Sequence, residues 1–281
     1  MIRSILAAVD GSPSADQGLR LAAQWAAQLP ARLEAVFVEN EERFVTYEFA
    51  PTVEAGVVFP VPLPPDKLAE EKRKVAEERK ALQRAFEQAT KGLGPGARFT
   101  AATGSVNAIL ARAARAADLV VIGNRGRFEP QTDRRAGPTT ETLIHNAGRP
   151  VLVVPENPRT AGPLLLAFDD SKGVHRVLPT GIELAERLKR DTLVLTLDDD
   201  PAAGKRTQEL VKPYLGAHEI SARYAVERGR PAQAILQRAE SEGASLIVMG
   251  AFGRNPIFEL FFGSTTLAVL ERSVCPVLLM A

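Results

Sequence analysis

Short continuous apolar runs alternate along this chain with longer segments whose apolar positions recur every three or four residues. Residues 2–9 (IRSILAAV) form a strand-like run, and Asp10-Gly11-Ser12-Pro13-Ser14 is turn and cap chemistry opening a helix over about 14–29. A second strand is predicted at 32–38, then a charged amphipathic helix at 66–91 with Leu68, Val75, Leu82, Phe86 and Ala89 on one stripe. The pattern continues with a strand at 97–103, a helix at 105–117, a strand at 118–123, a helix reaching about 147 and a strand at 150–154. The remainder repeats the order more tersely: strands at 163–168, 191–197, 218–226, 245–249 and 276–280, and helices at 172–189, 201–213, 230–241 and 263–272. Strands alternating with helices imply a parallel sheet with right-handed crossovers, and near-continuous apolar strands imply cover on both faces.

The second half also echoes the first in its residues. DLVVIGNRG at 118–126 and SLIVMGAFG at 245–253 are each an apolar run ending in Gly-x-x-Gly. Each follows an Ala-rich helical segment and precedes a Pro-Val-Leu strand, and the openings ILAAVDGS and LLLAFDDS match as well. The interval between copies is far longer than the roughly 20–50 residues of a solenoid repeat. It implies two copies of one domain, at 1–156 and 163–281, joined by a short Pro-rich linker of the stiff kind. The halves differ chiefly by an insert at about 40–65, with five prolines and many apolar residues. It reads as a loop packed on its own domain, with a lid or a subunit contact as the functional alternative.

Composition narrows the setting. Two domains of ordinary size fit 281 residues, and a net charge of +1 with 25% charged residues gives no field that calls for nucleic acid or anionic membrane. No apolar run approaches the roughly 18–20 residues of a membrane span, and the N-terminus is too quickly polar for a secretory signal. The expected location is cytoplasmic. A single cysteine, Cys275, excludes an intrachain disulfide and a Cys-based zinc site, and its place beside Pro276 on an apolar strand reads as a buried, inert thiol. His145, His175 and His218 have no partner at ligand spacing and read as surface or helix residues.

In open parallel sheets, ligands bind at the carboxyl ends of strands where strand order reverses. Asp10 and Gly123 end the first and fourth strands of half one, and Asp169 and Gly250 do so in half two. The second glycine loop runs Gly250-Ala251-Phe252-Gly253, nine residues (254–262), then Gly263-Ser264-Thr265. Glycines let backbone N–H groups approach an anion, and the helix opening at Gly263 offers free N–H groups and a favourable dipole to phosphate. Half one departs from this pattern. After Gly123-Asn124-Arg125-Gly126, ten residues (127–136) intervene before Gly137-Pro138-Thr139-Thr140, and Pro138 has no N–H to offer. Arg125, Arg127, Arg134 and Arg135 bring positive charge there, whereas the second loop has only Arg254 beside the apolar Ile257, Phe258, Leu260, Phe261 and Phe262. Asp10 and Asp169 are either turn and cap residues or direct ligand contacts. No nucleophile, base or metal cluster recurs at recognisable spacing in both halves, so binding is expected rather than catalysis.

On these motifs the chain resembles the universal stress protein family in its tandem form, over nearly its whole length apart from the insert and linker. The family signature Gly-x-x-Gly, nine residues, Gly-Ser/Thr is matched fully by residues 250–264. The resemblance implies a tandem pair of doubly wound, five-stranded parallel-sheet domains of the α/β class (Rossmann-like, adenine nucleotide alpha hydrolase-like). It implies an adenine-nucleotide ligand, ATP, possibly carried with Mg²⁺, and a regulatory stress role in which hydrolysis is slow or absent. It places Gly250 and Gly253 by ribose and phosphates, Gly263, Ser264 and Thr265 on phosphates, and Asp169 by the adenosine. The half-one counterparts are Asp10, Gly123, Gly126, Gly137 and Thr139. An apolar residue of the second strand lies against adenine, Val38 here, with Thr196 or Leu197 in half two. It further implies that strands 150–154 and 276–280 pair the halves edge to edge, that a homodimer could form four domains, and that an unidentified protein partner is served. A nucleotide-independent adaptor with degenerate sites is the alternative.

Overall fold

A computed structural model describes residues 1–49, 58–127, 136–251 and 263–281. Half one contains β1 (Ser4–Ala8), α1 (Pro13–Gln28), β2 (Arg32–Asn40), β3 (Val45–Phe49), β4 (Val58–Pro62), α2 (Pro65–Ala89), β5 (Ala97–Gly104), α3 (Val106–Ala114), β6 (Leu119–Gly123), α4 (Pro138–Asn146) and β7 (Val151–Val154). Half two contains β8 (Leu164–Ala167), α5 (Lys172–Arg187), β9 (Thr192–Leu197), α6 (Pro201–Ala217), β10 (Ala222–Glu227), α7 (Pro231–Ser241), β11 (Leu246–Gly250), α8 (Ser264–Arg272) and β12 (Val277–Met280).

The strands join one ten-stranded sheet in the order β10-β9-β8-β11-β12-β7-β6-β1-β2-β5. Each half is therefore a five-stranded parallel sheet with the same internal order, and the order reverses between β1 and β6 and again between β8 and β11. The halves meet where β12 runs antiparallel to β7, Leu278 opposite Leu152. This pairing removes two edges that would otherwise expose unpaired backbone groups. Successive residues of the central strands point to opposite faces, and each face has its own core. Ile5, Val121 and Leu152 join Trp25 of α1 and Leu184 of α5 on one side. Leu6, Val120 and Val153 join Leu110 of α3 and Val269 of α8 on the other. Both clusters run unbroken from one half into the other.

Two departures from the sequence reading have plain causes. Helix α6 does not stop at Pro213 but continues to Ala217, so β10 starts at Ala222 rather than at 218. A proline costs the helix one N–H rung, and burial of Val211 and Leu215 on either side holds the last turn against the sheet. The insert is not simply a loop: β3 and β4 form a separate antiparallel pair, with Tyr47 opposite Pro60 and Val45 opposite Pro62. A short 3-10 turn, Glu41–Phe44, leads into it from β2. Arg43 of that turn donates to Glu71 Oε1 (2.6 and 2.8 Å) and to Glu78 (2.6 and 3.3 Å). The two acids sit two turns apart on the face of α2 that buries Val75 and Leu82, so one guanidinium fastens the insert to the helix.

Candidate functional site

The carboxyl ends of β1, β2 and β6 open into a cavity of about 200 Å³ in half one. Val36, Val38, Val106, Leu110 and Ile122 make its apolar wall, and Asp10, Arg43, Arg125, Arg127 and Thr139 its polar rim. Ligand pockets generally run to about 300–1,000 Å³, so this volume suits a flat ring system with the rest of a ligand lying across the rim.

Asp10 organises the entrance. Its carboxylate accepts from the Ser12 N–H (2.9 Å) and from the Arg127 N–H (2.7 Å), which binds the β1–α1 turn to the glycine loop. Ser12 then caps α1, its side chain accepting from the Ala15 N–H. Gly11, at φ +77°, needs glycine for this turn, and the Arg127 guanidinium lies over it. On the other side of the loop, the Ser14 hydroxyl donates to the Arg125 carbonyl at 2.8 Å.

Gly123 has a structural reason of its own. A Cβ there would collide with Ser14 and reach within 2.7 Å of the Ala15 backbone nitrogen. Gly250 repeats the arrangement: a Cβ there would reach within 2.8 Å of the Val174 nitrogen at the start of α5. These glycines let the first helix of each half rest its N-terminal turn on the fourth strand.

Gly137 caps α4 from an extended conformation, and Pro138 occupies the first helical position. The N–H that Pro138 lacks would have no intrahelical partner in any case. Thr139 faces the cavity, and the Thr140 hydroxyl donates to the Gly123 carbonyl at 3.0 Å. In half two Gly263 caps α8, and the Thr266 hydroxyl donates to the Ala251 carbonyl at 2.7 Å. Ser264 is exposed and Thr265 half-buried at the same helix end.

The structure thus brings Asp10, Val38, Gly123, Gly126 and Thr139 around one cavity, with Gly137 beside it at the helix cap. In half two Asp169 accepts from the Ser171 N–H at 3.0 Å and repeats the turn after β1. Gly253, Arg254 and the apolar residues at 257–262 lie outside the described residues, as do Arg134 and Arg135. Strand register separates Thr196 from Leu197. Ala8 pairs with Val36 and Ala167 with Leu195, so two residues on, Leu197 holds the place of Val38. Thr196 is buried, its hydroxyl donating to the Phe168 carbonyl.

Sequence reasoning missed Asn40 and Arg43, which reach the cavity from the insert. It also missed the partner of His175, whose Nε2 lies 2.7 Å from Asp170 Oδ1 at the exposed start of α5. Cys275 is buried, and burial pushes its thiol up to about 11, as expected for an inert group. Among the described residues no group of three or more His, Cys, Asp or Glu could hold a metal ion, and no helix is long and apolar enough to cross a membrane.

A profile described as the universal stress protein family matches residues 1–155 and again residues 161–280. A universal stress protein of Synechocystis is 28% identical over 57% of this chain and 57% of its own length. One of Mycolicibacterium smegmatis is 28% identical over 62% of this chain and 65% of its own length. The matched regions thus span under two thirds of either relative. Among solved structures, a universal stress protein from Archaeoglobus fulgidus superposes with a TM-score of 0.72, at 18% identity, over 98% of this chain and 97% of that one.

Proposed function

The chain belongs to the universal stress protein family, and from that premise we propose that it is an adenine-nucleotide-binding regulatory protein with ATP as its ligand. The sites lie at the carboxyl-end crevices of its two domains, 1–156 and 163–281. One observation carries the reading: Asp10, Val38, Gly123, Gly126 and Thr139, spread over most of the length of domain one, line a single cavity at the point where strand order reverses. Adenine lies against Val38 and Ile122, and the phosphates run toward the start of α4, where Thr139 and Thr140, unlike Pro138, each carry a backbone N–H. Domain two carries the complete signature spacing, which makes it the stronger site on sequence, with Leu197 against the base and Gly263, Ser264 and Thr265 on the phosphates. Mg²⁺ would arrive on the phosphates rather than in a protein cage. The role is cytoplasmic and regulatory, with a homodimer and a protein partner as its assemblies.

A nucleotide-independent adaptor is the second reading. It is favoured by Tyr47 and Phe59, 59% and 40% exposed on the insert, an apolar display suited to protein contact. Calorimetric titration of ATP with Mg²⁺ separates the two. The account expects two sites per chain, falling to one in Gly263→Val, a position where an added Cβ meets nothing within 4 Å among the described residues. Absence of heat, with no nucleotide carried through purification, would leave the adaptor.

A further inference from the structure

At the opposite end of the half-one sheet, where β1, β2 and β5 begin, a second cavity of about 610 Å³ lies between the strands and the end of α3. That volume falls within the roughly 300–1,000 Å³ of ligand pockets, and none of the nucleotide-site residues lines it. Leu6, Ala113 and Ala117 give it an apolar side, and Arg32, Glu34 and Arg98 a charged one. Arg32 and Glu34 are two residues apart on β2, and Glu34 stands between Leu6 of β1 and Arg98 of β5 in register. All of them therefore share the face that α3 covers, where Leu6 packs with Leu110 and Ala114.

Glu34 is out of place in such a strand. Its neighbours Leu33 and Ala35 are buried, and β2 is paired along both edges. One carboxylate oxygen, Oε1, accepts from the Thr100 hydroxyl at 2.7 Å and lies 3.3 Å from Arg98 Nη2. Among the described residues nothing bonds to Oε2, which is not buried, or to the Arg32 guanidinium. The same face of half two is filled and closed. Register puts Leu193, 3% exposed, in the place of Glu34, and Arg223 in the place of Arg98. The residue at the C-cap of the covering helix is Glu242 on α7 but Arg115 on α3. Arg223 therefore reaches across to Glu242 at 2.7 Å, whereas Arg98 has a like charge in that place and pairs with Glu34 instead. Half one thus keeps open, with one unused anion and one unused cation, a space that half two fills with core.

We propose that this cavity binds a free α-amino acid with a large apolar side chain, independently of the nucleotide crevices. Such a ligand carries an ammonium and a carboxylate on one carbon, and strand geometry sets Arg32 and Glu34 roughly 6–7 Å apart along the backbone. The ammonium donates to Glu34 Oε2, and the carboxylate accepts from Arg32. The C-terminal end of α3, the negative end of its dipole, favours the ammonium on this side of the sheet. The apolar side chain lies against Leu6, where Ala113 and Ala117 leave room for a ring. A simple carboxylate would leave Glu34 beside a like charge, and a simple amine would leave Arg32 so. The zwitterion answers both.

The test follows backbone amide signals by NMR while the full chain is titrated with L-phenylalanine, phenylpropionate or phenethylamine. Phenylalanine is expected to shift Arg32, Glu34 and Arg98 saturably at about millimolar concentration, the scale for a ligand of this size. Each analogue, lacking one charged group, should bind about tenfold more weakly, the scale of one charge-assisted hydrogen bond. Glu34→Gln keeps an acceptor for Thr100 and should weaken phenylalanine about tenfold without weakening phenylpropionate. Arg32→Gln, at an exposed position, should do the same without weakening phenethylamine. Glu34→Leu installs the half-two residue and should abolish the shifts. The proposal is overturned if the three ligands bind alike, or if no saturable shifts appear at these amides. A glutamine variant that weakens all three ligands equally, or none, would reduce Glu34 or Arg32 to a structural role and overturn it too.

Discussion

The two halves agree most closely where their backbones approach most closely, and differ where the sheet ends and the chain meets solvent. Gly18 and Gly123 admit α1 to β6, and Gly181 and Gly250 admit α5 to β11 at the same crossing. Asp10 and Asp169 make the same turn before those helices, each accepting from the serine two residues on. The rims have diverged. After β2 the chain makes a 3-10 turn, an antiparallel strand pair and the 25-residue helix α2, whereas after β9 a turn capped by Asp200 enters α6. As a result Arg43 of the turn after β2 borders the half-one cavity, whereas the turn after β9 carries Asp198, Asp199 and Asp200. A duplicated scaffold keeps its steric constraints, while the charge at its ligand-facing edge is free to change sign.

The steric part of this comparison breaks most visibly. Gly123→Ala and Gly250→Ala each force a methyl onto helix backbone that cannot retreat, and each is expected to cost about 3 kcal/mol, with the two variants lowering the melting temperature alike. Gly216→Ala, in open space on α6, should instead stabilise by about 0.5–1 kcal/mol. Unequal losses at the two strand glycines would mean that the halves do not share this constraint.

A smaller difference separates the opposite end of the sheet. Asp118 Oδ2 accepts from the Arg3 and Ser4 N–H groups and from the Ser4 hydroxyl. Burial alone would raise its pKa, but these hydrogen bonds overcome it and hold the carboxyl below its ordinary range. Half two uses neutral Ser245, whose hydroxyl donates to the Gly162 carbonyl. A depressed carboxylate pKa stabilises the fold above the unfolded value, and that contribution fades as pH falls through the folded one. Asp118→Asn should therefore lose about 1 kcal/mol at neutral pH, the scale of partly exposed charge-assisted hydrogen bonds. The gap to wild type should close between about pH 5 and pH 3. A gap independent of pH would deny the carboxylate this role.

Most of the architecture is legible in the residues, because parallel strands covered on both faces leave uninterrupted apolar runs and the duplication supplies each element twice. What escapes is what depends on distant partners. Pro60 and Pro62 argue against a strand in the insert, and nothing local reveals that β3 lies alongside β4. Arg43 looks like an ordinary loop cation, since Glu71 and Glu78 lie 28 and 35 residues away. Gly123 is conspicuous as a glycine, but its reason, the first turn of α1, is more than a hundred residues earlier. Pro213 is the opposite case, a local signal for a helix end that buried Val211 and Leu215 override.

Hydrogen exchange of the full chain with and without saturating ATP and Mg²⁺ tests the central claim, that nucleotide sits at the carboxyl-end crevices, by locating the ligand directly. The account predicts slowed exchange at residues 10–12, 38–43, 123–127 and 139–142 in half one and at 169–171 and 265–268 in half two, with the amino ends of the strands unchanged. Protection confined to β3 and β4, or no protection at either crevice, would contradict it.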